Sequence, residues 1–393
     1  MTFNFNNIFP QSKAVLAKHF NICGEYDLLF YSNQMANLYR DLKENKKEEY
    51  LPTDRIVFTL FDIDYHLDEN SPGFTLYNLQ LILKDLDIPN YFCLILTNRP
   101  DYNNYTKIVQ RQLTTDDSHI RSITTLLDFS WVVNVDERNF NTNSISNTFC
   151  VLSRQARSHR TYFMSQLFDK NLQDCGLVGY NNIPYITTPV DIDSKLVDQV
   201  EHLSLLPLPK NGNAILIYNT DHQRTLQKFA AEHKSYKNFN ESIDLNDKNN
   251  SANFHRSSPL TSALIYVGLE TVVQPSKIFV SRISFRGIVD QRPFILLAQP
   301  GVLQFLKSLG FKTFDKFWDE SYDSIDDFED RVDAIINILQ IWSTYSTEEL
   351  RCKAQEMQSI LEYNYNYYRN EFESVLAGNL DKDCIRNLTN QDL

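Results

Sequence analysis

Arg154, Arg157, His159 and Arg160 place three guanidiniums and an imidazole within one short stretch. Crowding that much cationic character is costly unless an anion shares it. The stretch follows an apolar run at 149–152 and opens a helical pattern at 161–172. It therefore lies at the end of a strand and the mouth of a helix, where backbone N–H groups and the positive dipole end add to anion affinity. The diphosphate of a sugar nucleotide suits such a site. The competing reading is a basic helix start paired to Asp169 or Asp174.

A second constellation is Glu270, Ser281, Arg282, Ser284 and Arg286. A carboxylate can accept ribose or sugar hydroxyls, and an arginine can neutralise phosphate. Any of the five can instead cap the short helix near Ser284. The third is the acidic run Asp319, Glu320, Ser321, Tyr322 and Asp323, with Asp326, Asp327, Glu329 and Asp330 behind it. Such a run is ordinarily a solvated loop and a helix start, with Ser324 or Asp326 as N-cap. A fourth is Asp62-x-Asp64 with His66, at the end of an apolar run, while Thr97-Asn98 ends the next one.

Elements that position these residues can be read from periodicity. Runs 55–61, 91–96 and 129–135 predict strands, with helices at 76–86 and 105–113 between them. The first 50 residues read as mainly helical, at 13–20 and 35–39. Residues 139–147 are polar and aperiodic, the best linker. Strands are then expected at 149–152, 214–218, 263–267 and 293–297. Helices are expected at 284–290 and 302–309, the latter closed by Gly310. Residues 238–258, rich in Asn, Asp and Ser, read as a surface loop. Long helical patterns cover 326–341 and 348–372, and the YNYNYY stretch of the latter reads as packing surface.

The residues 261–331 also resemble a family. Glu270-Thr271, Phe279, Ser281, Ser284 to Arg286, Pro293-Phe294-Ile295, Gly301, residues 309–314, residues 319–323 and Arg331 follow its pattern. The family is a phage group of glycosyltransferases related to fucosyltransferase and exostosin-like enzymes. The resemblance implies a donor-binding half in which a nucleotide sugar is held by Glu270, Ser281, Arg282, Ser284 and Arg286. It implies that Asp319, Glu320 and Asp323 order the domain around that cleft. The segment of Arg154, Arg157, His159 and Arg160 is similar to the family's R-x-x-x-x-R stretch, in which an arginine contacts the donor pyrophosphate; Arg160 is the closest match. Arg282-Ile283 replaces the family's Glu-Lys pair, and Arg286 stands where it has Lys. The stretches FDIDYH, LYNLQLIL and DIPNYFCLILTN are similar to its N-terminal half. Asp62-x-Asp64 also resembles the haloacid-dehalogenase-like phosphatases, in which the two aspartates act as nucleophile and acid beside Mg²⁺, although Tyr65-His66 departs from that pattern.

Composition bounds the function. A net charge of −12 over 393 residues weighs against a protein that coats nucleic acid. Ten glycines, with no P-loop, make a Gly-rich phosphate cradle an unpromising device. Six scattered cysteines without a C-x-x-C pair fit reduced thiols in a cytoplasm, the host's if the chain is phage-encoded. No segment approaches the ~18 apolar residues of a membrane span. The expected architecture is α/β: two Rossmann-like lobes facing a cleft (GT-B-like) with a C-terminal helical segment. Residues 1–145 would form the acceptor-side lobe, 146–345 the donor-binding lobe and 346–393 the helical segment. The expected activity is sugar transfer from a nucleotide-sugar donor, with no obligatory metal, to a DNA base, a glycan or a protein. Asp62, Asp64 and His66 are candidate bases for the acceptor hydroxyl. The alternatives are a degenerate relative that binds without catalysis and a phosphatase using Asp62 and Asp64.

Overall fold

The computed structural model describes residues 9–19, 22–28, 55–62, 91–97, 120–127, 141–184, 220–233, 235–237, 262–271, 273 and 278–389. The chain divides into two compact units, residues 1–134 with 371–393, and residues 135–370. Each carries its own sheet.

In the first unit, β1 (Ile22–Leu28), β2 (Arg55–Asp62), β3 (Tyr91–Thr97) and β4 (Ile120–Leu127) lie side by side in chain order, all parallel. β2 and β3 were legible as apolar runs. β1 lies where helix was expected, because ICGEYDL intersperses polar residues among its apolar ones. β4 precedes the expected strand at 129–135, which falls outside the described residues, as do the helices expected at 35–39, 76–86 and 105–113. Helix α1 (Pro10–His19) packs on the last helix of the chain, α8 (Phe372–Thr389), and Leu16 of the one and Phe372, Leu376 and Leu380 of the other are buried. Gln11 N donates to Glu373 Oε1 at 2.9 Å, and His19 Nε2 lies 2.6 Å from Asp381 Oδ1. These contacts are why 371–393 belong with the N-terminal residues. The other long C-terminal helix, α7 (Thr347–Asn370), belongs to the second unit, so the C-terminal helices are shared between units.

The second unit holds a five-stranded sheet built from β5 (Asn147–Ala156), β6 (Gly176–Pro184), β7 (Ser235–Lys237), β8 (Ala263–Leu269) and β9 (Phe294–Leu297). Their order is β7-β6-β5-β8-β9, with only β7 antiparallel. Every residue of β9 is buried, and so is every residue of β8 except Tyr266, as expected of parallel strands covered on both faces. β5 leads through α2 (Ser158–Asp169) to β6 on one side, whereas β8 leads through α4 (Arg282–Val289) to β9 on the other. Right-handed crossovers in opposite directions put α2 and α4 on opposite faces. α2 packs with α3 (Thr220–Glu232) and α6 (Phe328–Trp342), while α4 packs with α7. The neighbours β5 and β8 thus form a topological switch point, the place at which sheets of this kind take ligands beyond the strands' carboxyl ends.

The strand–helix–strand–helix succession expected over 263–309 is present, ending in α5 (Val302–Ser308). Gly310 closes it at φ +99°, where a Cβ would meet Tyr367 Oη at 2.6 Å. The tyrosine-rich face of α7 is packing surface, as read. Tyr367 Oη donates to Leu309 O at 2.7 Å, Tyr363 Oη to Gly310 O at 3.1 Å, and Asn364 exchanges two bonds with the backbone of Lys312. The strand expected at 214–218 and the whole of the 238–258 loop lie outside the described residues. β6 and α3 were not foreseen.

Candidate functional site at the switch point

The cationic stretch runs from the end of β5 into the start of α2 at this switch point. Arg157 is the N-cap of α2, extended at φ −84° and ψ 145°, and its side chain makes no cap bond. Instead its Nη1 reaches across to donate to Thr271 O at 2.9 Å. His159 Nε2 lies 2.8 Å from Glu270 O. A carbonyl can only accept, so Nε2 carries the proton. Burial, then the charges of Arg160 and Arg157, hold the His159 pKa well below its ordinary value, so the ring is neutral. Its Nδ1 is then a lone pair, buried and without a hydrogen-bond partner among the described residues. His159 therefore does not supply the cationic charge read into the stretch. Arg160 is buried at the same helix start.

From β8 comes Glu270, fully buried, whose carboxylate accepts from Thr271 N (2.7 Å), Ser281 N (2.7 Å), Ser281 Oγ (2.8 Å) and Ser284 Oγ (2.7 Å). Ser281 is at once the N-cap of α4, accepting from Ile283 N at 3.1 Å. A carboxylate at a helix start also opposes the positive dipole end. The structure thus brings Glu270, Ser281 and Ser284 together, but as an internal knot that closes α4 and not as an open acceptor for ribose. Arg282, next along, is exposed. Arg286 does not join them: it lies in the last turn of α4, where Nε pairs with Asp290 Oδ2 at 2.6 Å. The reason is spacing, since Asp290 is one helical turn on and both side chains are buried.

Two residues at this end of the sheet escaped the sequence reading as site residues. Arg331, on α6 and almost wholly buried, donates from Nη1 to Ile325 O at 2.7 Å and from Nη2 to Val273 O at 3.0 Å. Burial pulls its pKa down to about 10, against the nearby Asp323, Asp326 and Asp327, so it stays charged at neutral pH. Its field also acts on His159. Gln299, just past β9, is buried with both amide atoms unpartnered among the described residues. Arg331 had entered the sequence reading only as a position that follows the family pattern, a lone arginine within a run of acids.

The acidic run is a buckle. Asp323 accepts from Leu303 N at 3.0 Å and Gln304 N at 3.1 Å, capping α5. Glu320 accepts from Thr313 Oγ1 and Phe314 N, both at 2.7 Å. Asp319 takes Ser321 N at 2.8 Å. The N-cap of α6 is Asp327, one residue beyond the expected Asp326, since its carboxylate is the one that reaches Asp330 N at 3.0 Å.

Asp62 ends β2 in register with Thr97 of β3, at the carboxyl edge of the first unit's sheet. Asp64 and His66 lie outside the described residues, as does the side chain of Arg154. Among the described residues no helix is long and apolar enough to cross a membrane.

No known protein family matches the chain, and no curated protein matches it. Among solved structures, the chain is similar to the trehalose-6-phosphate phosphatase N-terminal domain of Candida albicans. The similarity has a TM-score of 0.39 and 8% identity, covering 90% of this chain and 75% of that one.

Proposed function

We propose that the chain is a glycosyltransferase that takes a sugar from a nucleotide-sugar donor, with the donor phosphates held at the switch point of the second unit. The observation that carries this reading is the convergence of Arg157 and His159 from β5 and α2, and Arg331 from α6, on the residues leaving β8. Buried guanidiniums and a helix N-terminus neutralise a diphosphate without requiring a cation. In this reading the two units are the lobes of a GT-B-like enzyme, the N-terminal one serving the acceptor. Asp62, with Asp64 and His66 after it, then supplies the base for the acceptor hydroxyl. A thermal-shift and calorimetric screen of nucleotide sugars tests the reading, since a donor that binds saturably and is turned over supports it.

A second reading is a relative that binds the nucleotide without transfer. It is favoured by Glu270, whose carboxylate is already filled by four donors of the chain itself. Binding without hydrolysis or transfer in the same screen selects it.

A further inference from the structure

Four polar atoms at this end of the second unit's sheet are buried without a hydrogen-bond partner among the described residues: His159 Nδ1, both amide atoms of Gln299, and Arg331 Nε. His159 is 0% exposed, Gln299 1% and Arg331 1%. Buried side-chain polar atoms are ordinarily bonded, because the low dielectric of an interior makes an unpaired one costly.

The three side chains belong to one face of the sheet. A Cβ on Gly268 would meet Leu296 Cδ2 at 2.7 Å and Ile283 Cγ2 at 3.1 Å, so residues 268 and 296 face α4. Leu269 and Leu297, paired in register, face the other way, and Gln299 follows Leu297 by two residues. That other face is the one α6 covers, packing on α2, β5 and β9. Shared neighbours draw the groups together. Glu270 O accepts from His159 Nε2, while Glu270 N donates to Leu297 O at 2.9 Å. Asp323 O holds Gly301 N, two residues beyond Gln299, at 2.7 Å. The Asp323 carboxylate also acts on Arg331, whose own field reaches His159.

The chemistry of the four atoms is mixed. With its ring proton committed to the Glu270 carbonyl, His159 presents at Nδ1 a lone pair that can only accept. Arg331 Nε–H can only donate, and Gln299 does both. A fully ionised phosphate oxygen has no proton for Nδ1, and an ammonium has no lone pair for Nε–H. A hydroxyl has one of each.

We propose that His159 Nδ1, Gln299 and Arg331 Nε form a site for an uncharged O–H group, filled by internal water when no hydroxylated ligand is bound. The site does not depend on the phosphate-binding reading above. It assigns these atoms to a neutral group whether or not an anion binds beside them. Internal waters typically make about three such bonds to buried polar groups, the number of side chains present here.

Long-range proton–nitrogen correlation spectra of the full chain, labelled at histidine and with His159 assigned from His159→Gln, test the site. At neutral pH Nδ1 should be unprotonated yet shifted upfield of a free imine nitrogen, as an accepted hydrogen bond requires. Gln299→Leu should move it back toward the free position. Nδ1 at the free position in the parent, a protonated Nδ1, or no movement in Gln299→Leu overturns the proposal. Uridine, which carries hydroxyls and no phosphate, separates the two sources of the O–H group. A resonance that moves with uridine assigns a ligand hydroxyl and one that stays assigns water, and both support the site. A crystal structure of the parent frees the test from the folding of the variants. Oxygen density within hydrogen-bond distance of His159 Nδ1 and of Gln299 or Arg331 is expected, whereas a dry contact or an anion there overturns the proposal.

Discussion

Arg157 Nη1 donates to Thr271 O across 2.9 Å, tying the first residue of the α2 cap to the second residue beyond β8. The two lie beyond the carboxyl ends of the neighbouring strands β5 and β8, so this one bond ties the two sides of the switch point together. It joins a buried charge to a buried carbonyl. Arg157→Ala should therefore lower unfolding stability by about 1–3 kcal/mol, the cost of leaving a buried acceptor unmade. Denaturant unfolding measures it, and a change under ~0.5 kcal/mol, the range of an ordinary surface substitution, would speak against the bond.

Glu270 should prove more sensitive. Glu270→Ala orphans the amides of Thr271 and Ser281 and leaves the Ser281 and Ser284 hydroxyls without their acceptor. The expected loss is on the order of 3 kcal/mol or more. Glu270→Gln should be intermediate, because an amide keeps one acceptor oxygen. Equal stability of both variants and the parent in urea would show that the knot holds nothing.

His159 gives the chain a pH dependence of definite sign. Its folded pKa is depressed by burial and by Arg160, Arg157 and Arg331, so the unfolded chain takes up this proton more readily. The stability it contributes is complete above the unfolded value near 6.5 and falls as pH drops from there toward the folded pKa. His159→Gln, whose amide can still donate to the Glu270 carbonyl, should flatten the stability curve between about pH 7 and pH 5 relative to the parent. Parallel curves for the two proteins would contradict the neutral, buried assignment.

Gly310 should resist substitution. At φ +99° with Tyr367 Oη 2.6 Å from the position of a Cβ, Gly310→Ala combines backbone strain with a clash. A loss of about 1–3 kcal/mol is expected in thermal or denaturant unfolding. A neutral result would mean that α7 yields easily at Tyr367.

What could be read from sequence was what is local. The β8–α4–β9–α5 unit announces itself because its apolar runs are short and dense, and because Pro300-Gly301 and Gly310 punctuate them; the cap of α4 at Ser281, three residues before the expected start at Ser284, did not. The strands that escaped lack that contrast: β1 carries Glu25 and Asp27, β4 carries Arg121 and three hydroxyl residues, and β6 carries two glycines and two asparagines. The cationic stretch was visible as a cluster, but not its partners, since Thr271 is 114 residues from Arg157. The partners of Arg331 were hidden in the same way: its neighbours in sequence are acids, while one of its carbonyls, Val273, is 58 residues away. The roles of Glu270 and Arg286 turned on which donor or acid stood one helical turn on. Composition does not say whether such a group is turned inward or left for a ligand.

The most direct test of the account is a calorimetric titration of a panel of nucleotide sugars into the full chain and into Arg160→Ala. Arg160 is buried beside Arg157 and His159 at the start of α2, and the donor phosphates are assigned there. At least one donor should bind the parent saturably, and Arg160→Ala should weaken it by about 1–3 kcal/mol, or roughly 5- to 150-fold, with the far-UV circular dichroism unchanged. No binding by any member of the panel, or parental affinity in the folded Arg160→Ala variant, would contradict the assignment of the switch point as a phosphate site.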